Sequence, residues 1–112
     1  MSNRKISDTT KNLIAARKLI EKPENWCQWS LAKNIKGEPV KINDPTAFSF
    51  CIIGALDKII GKETPYSYNY NERDLLFSVT SNPAVLNDSS THKEVLETLD
   101  AVIKLSIIRD NS

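Results

Sequence analysis

The 112-residue chain has a single histidine and only two cysteines, and no apolar run approaches the roughly 20 residues of a membrane span. Its first residues, Met1-Ser2-Asn3-Arg4-Lys5-Ile6-Ser7-Asp8, lack the apolar stretch of a secretory signal. These two absences point away from membranes and towards the cytoplasm, where Cys27 and Cys51 are expected as free thiols. There is no Gly-rich phosphate loop, no Gly-x-Ser-x-Gly elbow and no His-Glu-x-x-His helix, so none of the chemistries those motifs serve is indicated. Cys-x-x-Cys spacing is missing too. Cys27, Cys51, His92 and Asp88 have the ligand chemistry for zinc but no supporting pattern, and neither a metal nor another cofactor is expected. Internal repeats and low-complexity tracts are absent as well.

What is there fits one globular domain, residues 1–112, with 1–7 expected as a flexible N-terminus and 109–112 as a frayed C-terminus. Hydrophobic residues make up 40% and charged residues 26%, ordinary values for a folded soluble chain. The net charge of +1 hides an asymmetry. Residues 1–41 hold nine Lys/Arg against four Asp/Glu, a local +5, and residues 42–112 hold six against ten, a local −4. A basic half could attract phosphate or nucleic acid, but nucleic-acid domains usually carry a much larger excess. Mutual neutralisation across the fold is the simpler account.

Periodicity and end signals predict a mainly α-helical, compact bundle of about four helices. The first follows Ser7-Asp8 and runs to about Glu21, with Leu13, Ala16, Arg17 and Ile20 on one face and Pro23 beyond its end. The second starts at Asp44-Pro45 and ends at Gly61. It is apolar nearly all round, which makes it central. A short third helix spans about Glu72 to Val79. The last begins at Ser90 or Thr91, where Thr91-His92-Lys93-Glu94 matches a capping box, and Val95, Leu96, Leu99, Val102, Ile103 and Ile107 form its core stripe. Asp100 and Lys104 can pair on its surface. Between the first two helices, Trp26 to Ala32 and Glu38 to Ile42 flank a turn at Asn34-Ile35-Lys36-Gly37. This reads as a small β-hairpin with Pro39 on an edge.

Only the two thiols, the imidazole and the Asn87-Asp88 pair could assemble a reactive site. A cysteine nucleophile needs a helix N-terminus or a positive neighbour to make its thiolate. With a helix starting at Pro45, Cys51 falls nearly two turns inside. There it shares a small-residue stripe with Ala47, Gly54 and Ala55, so packing is its simpler role. His92 shares a face with Leu96, Leu99 and Ile103 and reads first as a hydrogen-bonded latch for the Asn87-Asp88 loop.

The succession Trp26-Cys27-Gln28, then Cys51-Ile52-Ile53-Gly54-Ala55-Leu56, then Asn87-Asp88 with Thr91-His92 resembles an uncharacterised family of small bacterial and phage proteins, a domain of unknown function. The likeness runs from about Lys11 to Ile103. Where that family tends to have a small residue after the Gln, this chain has Trp29. The resemblance implies a shared fold and polar cluster and carries no activity.

Three functions are consistent with these residues. The first is a non-enzymatic interaction domain, adaptor- or inhibitor-like, that offers Trp26, Gln28, Trp29, Asn87 and the tyrosines Tyr66, Tyr68 and Tyr70 to a protein partner. The second is a cysteine-dependent acyl- or amide-transfer enzyme using Cys51 (or Cys27), with His92 as base and Asn87 or Asp88 as orienter. The third is a nucleotide or nucleic-acid binder working through the basic half. A second copy of the chain could cover the apolar helix, so a homodimer stays open.

Overall fold

The computed structural model describes residues 6–61 and 71–112. Tyr66, Tyr68 and Tyr70 lie outside them. Five helices run in order: α1 (Asp8–Leu19), α2 (Ile52–Ile60), α3 (Asn71–Val79), α4 (Pro83–Ser89) and α5 (His92–Asp110). A 3-10 turn at Pro23–Asn25 and three two-residue strands, β1 (Ala32–Lys33), β2 (Pro39–Val40) and β3 (Ser49–Phe50), lie between α1 and α2. The class is mainly helical, with a small antiparallel sheet.

Local chemistry starts and stops these helices. The Ser7 side chain accepts the Thr10 N–H at the head of α1, and the Thr91–Glu94 capping box closes the head of α5 in both directions. Gly61, at φ 83°, ends α2 in the left-handed conformation that glycine adopts without a Cβ penalty. The hairpin forms as expected, pairing Ala32 with Val40 and Lys33 with Pro39. In the order β2-β1-β3, Pro39 sits on an edge, where its missing N–H costs no ladder bond.

Two boundaries differ from the sequence reading. Asp44-Pro45 does not start a helix. The Asp44 carboxylate accepts the Thr46 N–H (2.8 Å) and hydroxyl (2.6 Å) in a tight turn. The chain then enters β3, where Phe48 N–H donates to the Lys33 carbonyl and Cys51 N–H to the Leu31 carbonyl. These long-range bonds hold residues 48–51 extended, so α2 begins only at Ile52. The second difference is α4, which occupies a stretch taken as loop. Asn82 caps it by accepting the Val85 N–H (3.1 Å), with Pro83 at its first position.

One core joins the layers. Leu13 and Ala16 of α1 and Ile20 just beyond its end meet Ile52, Ala55 and Leu56 of α2, and Val95, Leu99 and Val102 of α5, all fully buried. Leu75 and Leu76 of α3 close the cluster. The central position expected for the second helix is realised, since Ile52 to Asp57 are all buried. Asp100 does not turn to Lys104. It takes the Arg17 guanidinium in a fork, Nε to Oδ1 at 2.5 Å and Nη2 to Oδ2 at 3.3 Å, joining α1 to α5. Near the end of α5, Asp110 accepts the Ser7 N–H (3.1 Å) and the Thr10 hydroxyl (2.6 Å), joining the head of α1 to the end of α5. Among the described residues, no helix is long and apolar enough to cross a membrane.

Candidate functional site

Asn87 is the hub of the polar cluster. It sits on α4, is 1% exposed, and uses every hydrogen-bonding position of its side-chain amide. Its Oδ1 accepts from Trp26 Nε1 (2.7 Å) and Ile52 N (3.0 Å), while its Nδ2 donates to the Cys27 carbonyl (3.0 Å) and Asp88 Oδ1 (3.1 Å). One side chain therefore ties α4 to the head of α2 and to the segment before the hairpin. Gln28 reinforces the joint. Its Nε2 lies 3.1, 3.1 and 3.2 Å from the carbonyls of Asn87, Asp88 and Ser90, the groups a helix leaves unbonded at its C-terminal end.

Trp29 follows directly. Its φ of 70° is the only positive value at a non-glycine position among the described residues. A bulky side chain in this region stores roughly 1–2 kcal/mol of strain. The Asp88 carboxylate holds it there by accepting the Trp29 N–H at 2.8 Å. The indole is 75% exposed. Beside it opens a cavity of about 160 Å³, walled by Leu31, Ile53 and Ala84 and bordered by Cys51, Asn87, Asp88 and Arg73. Arg73 in turn rests its guanidinium over the Phe77 ring, 5.8 Å from the centroid, and Phe77 is 44% exposed.

Cys51 is not inside a helix. It is the N-cap of α2, and its Sγ accepts the Gly54 N–H at 3.2 Å. The small-residue stripe has a different meaning as well. Ala47 lies outside α2, and Gly54 approaches the backbone of Leu31, so closely that a Cβ would collide with the Leu31 carbonyl oxygen. A helix N-terminus favours thiolate, but burial wins and pushes the Cys51 thiol up to about 11, with Cys27 adding to the rise and the Gly54 N–H opposing it. At neutral pH Cys51 is therefore held as the thiol. Burial also raises Cys27, against the Ser49 hydroxyl and the charge of Lys33.

His92 points elsewhere. A carbonyl can only accept, so His92 Nε2 donates to the Ile20 carbonyl (2.7 Å) at the C-terminal end of α1. Its ring lies against Trp26, with centroids 5.5 Å apart and planes tilted by 41°. It is a latch, but for the end of α1 and not for the Asn87-Asp88 segment. Cys51, Asn87 and Asp88 thus gather at the cavity, whereas no hydrogen bond joins His92 to Cys51, Cys27 or Asp88. Among the described residues, no group of three His, Cys, Asp or Glu side chains is placed to hold a metal ion.

Trp26, Gln28, Trp29, Asn87 and Asp88 belong to one cluster, as their near neighbourhood in two short stretches suggests. Arg73 and Ala84 carry no motif and enter the cavity wall only because α3 and α4 pack beside α2. No family model, curated protein or solved structure matches this chain.

Proposed function

We propose that this protein is a non-enzymatic interaction module that presents Trp29 and the cavity beside it to a protein partner. The observation that supports this reading is the exposed indole held in a left-handed backbone conformation. Strain of that kind persists where surrounding structure imposes it, and it concentrates at working surfaces. Nothing in the packing rewards Trp there, because its ring is three-quarters exposed. Tryptophan next to a small pocket, with Arg73 and Asp88 at the rim, has the make-up of an interface anchor. The thiol-enzyme alternative has less support. It needs a base within reach of Cys51, and His92 is engaged by Ile20.

The test is parallel affinity capture with the natural chain and its Trp29→Ala variant, quantified by mass spectrometry, with melting temperatures measured on both baits. A protein retained by the first and lost from the second, at equal bait stability, supports the reading. Identical captures from both baits refute it.

A further inference from the structure

The two segments that carry the thiols run alongside each other. Trp26 and Phe50 form a parallel bridge, and the Cys27 N–H donates to the Phe50 carbonyl at 3.1 Å. Cys27 and Cys51 each follow the bridged residue of their segment by one position. Neighbouring strands are about 4.7–4.9 Å apart, and residues at one register position project to the same face. If that register continues by one residue, the strand spacing sets their Cα atoms roughly 5 Å apart, within the roughly 4.4–6.8 Å span of a disulfide. The Asn87 amide reports the same proximity, reaching the Cys27 carbonyl with one end and the Ile52 N–H with the other. Both cysteines are free and 8% exposed. The Cys27 thiol makes a long contact to the Ser30 carbonyl, at 3.6 Å, and also meets the Ser49 hydroxyl, while Cys51 borders the cavity beside Trp29, which gives a small oxidant a way in.

We infer that Cys27 and Cys51 are a reversible oxidation site, closing to an intramolecular disulfide in the presence of a peroxide. The Cys51 thiolate attacks one peroxide oxygen, the O–O bond breaks, and the departing hydroxide takes up a proton. The Cys27 sulfur then attacks the Cys51 sulfenic sulfur, its S–O bond breaks, and the hydroxyl leaves with the Cys27 proton as a second water. Two thiols and one hydrogen peroxide give one disulfide and two waters, the two electrons passing to the peroxide. The bond draws Cys51 Sγ away from the Gly54 N–H and pins the segment leading into Trp29 to the head of α2. The site is independent of the partner-binding reading and stands or falls on its own chemistry.

The full-length protein is treated with hydrogen peroxide at pH 7 and pH 8, quenched with catalase, and its remaining thiols are blocked with N-ethylmaleimide in denaturant before intact-mass measurement. The expected product is a monomer two hydrogens lighter and unalkylated. It should yield a peptide pair joining Cys27 to Cys51, be reversed by dithiothreitol, and form about tenfold faster at pH 8 because the thiolate fraction rises tenfold. Cys27→Ser should abolish the cross-linked monomer. Separate sulfinic or sulfonic acids, a disulfide-linked dimer, or two alkylatable thiols after prolonged exposure would each overturn the inference. So would a rate that climbs steeply with sub-denaturing urea, since the bond would then form in the unfolded chain.

Discussion

Replacing Asn87 by Ala removes four hydrogen bonds at once, and the structure indicates how much each is worth. Ile52 is fully buried and Cys27 is 8% exposed, so the Ile52 N–H and the Cys27 carbonyl lose their Asn87 partner where water has little access. Each such group costs about 1–3 kcal/mol. The Trp26 indole N–H is half-buried and recovers part of its loss from water, while the missing side-chain volume adds on the order of 1 kcal/mol. The sum is about 3–6 kcal/mol, a large share of the roughly 5–15 kcal/mol that holds a domain folded. In urea the midpoint should fall by about 2–4 M, taking a slope near 1.5 kcal/mol per molar. Asn87→Asp sharpens the test. It keeps both acceptor bonds but loses the two donors, setting a carboxylate against the Cys27 carbonyl and Asp88. The introduced carboxyl titrates higher in the folded protein than its unfolded value of about 3.9, so its penalty is absent below that pH and grows as pH rises. Urea unfolding at pH 7 and pH 5 should show a smaller deficit at pH 5 for Asn87→Asp and a pH-independent one for Asn87→Ala. A loss below about 1 kcal/mol for Asn87→Ala would refute the hub assignment.

Trp29→Gly relieves the left-handed strain and should raise stability by about 1 kcal/mol, read as a higher melting temperature; a fall would mean the indole packs after all. Gly54→Ala should destabilise by about 2 kcal/mol or more although Ala is the better helix former, because its methyl meets the Leu31 carbonyl; calorimetry decides, and an unchanged melting temperature would contradict the close approach. The Thr10 hydroxyl and the Ser7 N–H hold the Asp110 carboxyl below its ordinary 3.8, so the stability it brings is complete above that value and is lost as pH falls through the lowered one. Asp110→Asn should therefore flatten the acid limb of an unfolding curve below about pH 4, and an unaltered limb would argue against the contact.

Asp44-Pro45 and Asn82-Pro83 show where sequence reasoning stops. Both pairs place a capping side chain before a proline, the local signature of a helix start. At Asn82 the signal is obeyed, because α4 needs no competing partner. At Asp44 it is overruled, because Lys33 and Leu31 offer backbone bonds that draw residues 48–51 into a sheet. The same shift moves Cys51 from a helix interior to a helix cap, a change no periodicity could report.

The local sequence settled what depends on neighbours a few residues away: a cap at Ser7 or Asp8, the Thr91–Glu94 capping box, the Gly61 stop, the hairpin turn, the buried faces of α1 and α5, and the central place of α2. The tertiary structure alone decided that Asn87 reaches Trp26, Cys27 and Ile52, that His92 serves Ile20, and that Trp29 is held left-handed by Asp88. Each of these is a hydrogen bond across dozens of residues. Such partners are chosen by how helices and strands pack, and the helical and strand periods of a sequence carry no record of them.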